Sequence, residues 1–368
     1  MYSALFDPSM LFAVLLISGI FLIPALCIAA LASVFYCLLE KIQTIWLRVV
    51  LPVAIAIVFM VGDRPFQSFI YTSLSANDLL LLGSFISIVH VIPTFSILAM
   101  GAITPFPLIR EQITLKRPWY AVFAATTITF ICTSMFNMFI TLGPRMGTYT
   151  DISWIPYVDV VTQFIQFVSV IVIAAAVFGA ILFLQHVRSL VAGHARKRWI
   201  LFAVTGSLIV LLPSAGIGGV AIFFGTVTKK IPGRLVPIAL SAAAMIVLVL
   251  AGTMLLGIPG MRMIINFSLI TMVIMAFAVL VPFQYFGAEI PKDWQPVILL
   301  AGAVAADLIL SLIATVFDLG ERLTSDPLTI LTFAEGGMII AACTFVAGNY
   351  LVMRRDPRLS PADAGEAP

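Results

Sequence analysis

Charge is what this chain lacks most. Only 10% of its 368 residues are Asp, Glu, Lys or Arg, against about 25% in a typical water-soluble domain. So few charges cannot form the polar coat that water requires, and the solvent of this fold must be something else. Histidine is nearly missing as well, with three in total, which argues against histidine-rich metal or haem chemistry within the chain. The four cysteines, Cys27, Cys37, Cys132 and Cys343, lie in or at the end of apolar runs and form no C-x-x-C pair. Neither a disulfide framework nor a zinc site is therefore expected. Gly-x-Ser-x-Gly, His-Glu-x-x-His and Walker-type phosphate loops are absent, and no set of nucleophile, base and oxyanion donors can be assembled. No enzyme chemistry, cofactor or metal is expected. A net charge of +3 with no basic groove argues against nucleic acid as a partner.

What the chain has in excess is apolar length. Hydrophobic residues make up 62% of it and the mean hydropathy is +1.15. Runs of about 20 such residues cross the hydrocarbon core of a bilayer, and they occur at 11–38, 45–62, 79–103, 119–142, 158–185, 235–256, 263–284, 295–317 and 327–353. The fold class is accordingly all-α: a polytopic transmembrane helical bundle of about nine long spans. MYSALFDPSM at the start contains no Lys or Arg, so the first run is expected to stay as a helix rather than act as a cleaved signal. After Arg355 the tail DPRLSPADAGEAP reads as disordered.

The stretch from Trp199 to Thr228 is different. Pro213, Gly216, Gly218 and Gly219 interrupt it, a proline followed by residues that tolerate unusual backbone angles. A broken hairpin of two short helices is expected, each arm about 14 residues or about 21 Å long. Such arms fall short of a core about 30 Å thick, so they are either re-entrant or cross a thinned bilayer.

Charge placement supports the hairpin. Cytoplasmic loops collect Lys and Arg, and with two arms all but four of the 20 Lys and Arg (Arg64, Arg145, Arg262 and Arg322) fall on one side. The N-terminus is then outside and the C-terminus cytoplasmic, in a cell membrane of the cytoplasmic (inner) type.

Ionisable groups deep in a span cost at least about 2.5–3.5 kcal/mol on insertion scales, so each needs a reason. Asp307 in AGAVAADLILSL, Glu335 in LTFAEGGMII and His90 in SFISIVHVIPTF qualify. Counted from the outer loop between their helices, Asp307 and Glu335 lie at similar depths of roughly 12–15 Å. Two readings fit them. The carboxyls face each other, share a proton and relay protons or hold a cation, or each simply hydrogen-bonds a neighbouring helix, which the Gly336-Gly337 and 301–306 small-residue runs would permit. His90 reads as a satisfied interior histidine.

Over the middle of the chain several features occur together. Four spans precede the hairpin; Leu38-Leu39-Glu40 closes the first run, and Glu111 follows Pro105. Tyr157-Val158-Asp159 opens a long span that contains Phe178-Gly179, and Arg196-Lys197-Arg198 precedes the hairpin. From about Leu38 to Lys230 this plan resembles the C component of the twin-arginine protein translocase, a family of six spans whose last two are short and joined by a proline turn. The resemblance implies that Glu40 and Glu111 help to dock the paired arginines of an exported protein's signal. Cys37 and Ile42 stand where the family's motif has His and Arg, Phe178-Gly179 lacks the family's following Glu, and five further spans have no counterpart.

Divided on that resemblance, 1–38 is an extra span, 39–230 the six-helix core, 231–353 a four-span extension and 354–368 the tail. Two functions follow as expectations. One is a translocase-like or proton-coupled transporter, with Asp307 and Glu335 handling an ion or proton. The other is a non-catalytic scaffold that assembles with other membrane subunits in a larger redox or light-harvesting complex. In both, the lipid bilayer is the first partner.

Overall fold

A backbone in hydrocarbon must satisfy its own N–H and C=O groups, and a helix does this within one segment. The computed structural model describes residues 8–73, 91–114, 117–142, 158–191, 212–233, 235–257, 267–286, 290–292, 294–317 and 327–355, and among them all regular structure is helical. In chain order these are α1 (Pro8–Leu39), α2 (Ile45–Ser73), α3 (described over 91–103), α4 (Phe106–Ile109), α5 (Pro118–Leu142), α6 (Val158–Val191), α7 (Leu212–Thr228), α8 (Leu235–Gly257), α9 (Phe267–Phe286), α10 (Gln295–Val316) and α11 (Pro327–Arg355). Among the described residues eight helices are long and apolar enough to cross a membrane. The protein is thus a polytopic helical bundle of the multi-pass class.

Helix ends depart from the apolar runs where polarity and helicity part company. The second run stops at 62, yet α2 continues through Gly62-Asp63-Arg64 to Ser73. Hydropathy marks where hydrocarbon ends, and the backbone ladder continues beyond it. For the same reason α6 reaches Val191 and has 34 residues, about 51 Å of helix.

Two compact units divide at Ala175/Ala176, within α6. In the first, α1 packs against α5. Each buries a stripe at helical spacing, Ala25, Ile28, Ala29 and Ala32 on α1 and Ala121, Val122, Ala125 and Thr129 on α5. Small side chains suit such a contact, because between helices in lipid the attraction comes from close packing and not from water expulsion. The opposite face of α1 and most of α2 present Ile23, Val34, Trp46, Val58 and Val61 outward, as a lipid-facing surface does.

In the second unit α9 is the central post. It packs against α7, α8, α10 and α11, and a continuous run from Val273 to Leu280 is buried. A helix apolar all round is either surrounded by protein or by lipid; α9 is surrounded by protein.

Candidate functional site

Two polar ties set the register of α7 against α10. At one end Lys229, just past α7, donates from Nζ to Gln295 Oε1 at 2.9 Å. Nearby, Gln284 Nε2 donates to Thr228 Oγ1 at 3.2 Å and Gln295 Nε2 to the Ile290 carbonyl at 3.1 Å. At the other end Ser214 Oγ donates to Asp307 Oδ2 at 2.5 Å. The helices therefore run antiparallel. Asp307 lies about 12 residues, or about 18 Å, along α10 from Gln295, well inside a core about 30 Å thick.

Ser214 stands in the first turn of α7, and α7 has only 17 residues, about 25 Å of helix. It starts within bilayer depth. The sequence reading placed a break over Pro213, Gly216, Gly218 and Gly219, whereas the chain is continuously helical from Leu212 to Thr228. Pro213, at the second residue, opens the helix, since a first-turn N–H has no intrahelical partner to lose. The first arm expected over 199–211 lies outside the described residues, as does His90.

The glycines of α7 serve approach, not breakage. A methyl at Gly219 would overlap the Ala176 carbonyl, and one at Gly179 would overlap the Gly219 carbonyl. Here α6 and α7 meet backbone to backbone. Beside them, a methyl at Gly216 would come 2.7 Å from the Met272 sulfur, and the Gly218 position is filled by Leu300 of α10. With its first two turns pressed against three neighbours, α7 holds its N-terminal end in place against Asp307.

The chemistry there is a balance of comparable quantities. A carboxylate at mid-span costs about 2.5–3.5 kcal/mol. A hydrogen bond to a charged group contributes about 1.5–3 kcal/mol, and the N-terminal turn of a helix adds about 0.3–2 kcal/mol toward negative charge. The hydroxyl and the helix end are of a size to offset much of that cost, and together they give the Asp307 carboxyl a polar seat at this depth.

Glu335 is at a neighbouring level. Across α10 and α11, a Cβ at Gly348 would meet Ile298 at 3.4 Å, one at Gly302 would meet Phe345 at 2.5 Å and one at Gly336 would meet Leu310 at 3.2 Å. Leu310 is one turn beyond Asp307, and Gly336 directly follows Glu335, so the two carboxyls differ in depth by about one turn. They engage different surroundings. Asp307 is turned to Ser214 of α7, while Glu335 lines a cleft with Met245, Ile246, Val249 and Leu250 of α8 and Leu331 and Met338 of its own helix.

Glu40 and Glu111 belong to the first unit. Tyr36, 4% exposed, stands edge-on to Phe106 with ring centres 5.0 Å apart. Its hydroxyl donates to Glu40 Oε1 at 3.1 Å and accepts from Arg110 Nε at 3.1 Å. Arg110 Nη2 also lies 3.9 Å from Glu40 Oε1, and Arg48 covers the end of α1 by donating to the carbonyls of Ile42 at 2.6 Å and Glu40 at 3.1 Å. Arg110 begins the short 3-10 turn Arg110–Gln112 that carries the exposed Glu111. The fold thus brings Glu40 to the turn that holds Glu111. With Arg110 33% and Glu40 45% exposed, this ion pair contributes at most about 1 kcal/mol.

Sequence reasoning missed Ser214, Tyr36, Arg110 and the Thr228, Gln284, Gln295 group. A lone hydroxyl or amide in an apolar run carries no spacing signal, and the Arg110 contact spans 74 residues of chain. Among the described residues no group of three or more His, Cys, Asp or Glu is placed to hold a metal ion. No family model matches the chain, and neither the curated proteins nor the solved structures contain a match to it.

Proposed function

We propose that this multi-pass membrane protein is a proton-coupled transporter in which Asp307 carries the exchangeable proton. The observation behind the reading is the Ser214–Asp307 hydrogen bond, made at bilayer depth by the first turn of a helix too short to span. Carboxyls at the ends of broken or half-length helices are a recurrent way of building ion sites in transporters, and an intramembrane acid with a designed partner is a functional group by default. The small-residue crossing of α6 with α7 fixes the helix end against which the proton is exchanged.

Docking of an arginine-bearing signal at Glu40, the role implied by the likeness to the translocase component, has less support. Glu40 is already engaged by Tyr36 and Arg110, and a guest arginine would have to displace the resident one.

The test needs no known substrate. In infrared difference spectra between acid and neutral buffer, a carboxyl C=O band should be lost in Asp307→Asn and shifted in Ser214→Ala. In proteoliposomes loaded with a pH-sensitive dye, Asp307→Asn should slow acidification under an imposed potential to the rate of empty vesicles. A variant that keeps both the band and the flux of the native chain overturns the proposal.

A further inference from the structure

The cleft at Glu335 has a composition that selects its occupant. It measures about 360 Å³, within the usual size range of small-molecule sites. Its walls are Met245, Val249 and Leu250 on one side and Leu331 and Met338 on the other, with the Glu335 carboxylate as the ionisable group on the lining. Among the described residues Glu335 has neither a hydrogen bond nor an ion pair.

No internal counter-charge lies on the helices that form this unit's wall. Lys, Arg and His are absent from α8, α9 and α10, and α11 carries only Arg354 and Arg355, about 28 Å along the helix from Glu335. Among the described residues no positive charge is set against Glu335, and an incoming cation would supply one. Small metal cations are poorly served, since Na⁺, Mg²⁺ or Ca²⁺ needs several oxygen ligands and the other walls are hydrocarbon and thioether. Two methionines give surfaces that adapt to irregular apolar shapes, and an aromatic or alkyl body is what they would cover.

We propose that the cleft between α8 and α11 binds a lipophilic organic monocation, its charge against Glu335 and its apolar body against Met245, Val249 and Met338. This site is separate from the Ser214–Asp307 pair and stands whether or not Asp307 exchanges a proton.

Tetraphenylphosphonium, permanently charged and bulky, is the probe. The full chain in nanodiscs should bind it saturably, one per chain, measured by equilibrium dialysis. Glu335→Gln should weaken binding by about tenfold or more. Met245→Trp, which fills the cleft and leaves the carboxylate in place, should weaken it comparably, both variants being checked for an unchanged thermal midpoint. Tetraphenylborate, the same shape with the opposite charge, should not compete. The proposal is overturned by native-like binding in Glu335→Gln, by equal competition from the borate, or by the absence of saturable binding to the native chain. A phospholipid that co-purifies with the native chain and with Glu335→Gln but is lost from Met245→Trp would also overturn it, marking the cleft as a lipid seat.

Discussion

A methyl group at Gly219 would run into the Ala176 carbonyl, and backbone cannot turn aside as a side chain can. At Gly225 the nearest neighbour of an added methyl is Leu280 Cδ1 at 3.3 Å, a flexible end that can. Gly219→Ala should therefore destabilise the protein by about 1–3 kcal/mol, the usual cost of overpacking, and Gly225→Ala should stay near the native value; thermal unfolding in one detergent compares them. At this scale the sequence was informative where a residue type was expensive. Asp307 and Glu335 stood out because charge in a span needs a reason. Their surroundings were not legible, because Ser214 is an ordinary residue in an apolar run and the Glu335 cleft is built from Met, Val and Leu that any span contains. The glycines of α7 were legible as unusual but not as to purpose, since the same residue permits both a broken helix and a close crossing.

Among the helices, run length identified nearly every element, while partners and ends depended on contacts that hydropathy does not encode. α9 and a lipid-facing helix read alike in sequence, and only packing shows that α9 is the central post. The junction at the end of α7 carries its own testable charge effect. Burial of the Lys229 ammonium, and secondarily the charge of Lys292, push its pKa down from 10.5. The fold therefore favours the neutral amine more than the unfolded chain does, so stability is lower below the depressed pKa and rises as the pH climbs from there toward 10.5. Lys229→Met should flatten that rise in a plot of unfolding midpoint against pH, while also losing the hydrogen bond to Gln295. An unchanged slope would show that the ammonium is fully hydrated in the fold.

For the molecule as a whole, the composition led directly to a polytopic bundle, and the arrangement of charges leads to an orientation that can be measured. In a background lacking Cys27, Cys37, Cys132 and Cys343, Lys292→Cys should react with an impermeant maleimide only from the cytoplasmic face and Arg262→Cys only from the outer face; labelling of both from one face would invert the scheme. The ties among Thr228, Lys229, Gln284 and Gln295 gather the ends of α7, α9 and α10 at a single level, which fits a shared water-facing end. The crossing of Gly179 with Gly219 has a mechanical meaning as well. Two rods that touch through bare main chain, with neighbours pressed on both sides of the contact, leave no slack between them, so the crossing works as a clamp. Ser214, about 7–8 Å up the rod from that clamp, has little arm on which to wander, and its hydroxyl stays aimed at the acid it serves.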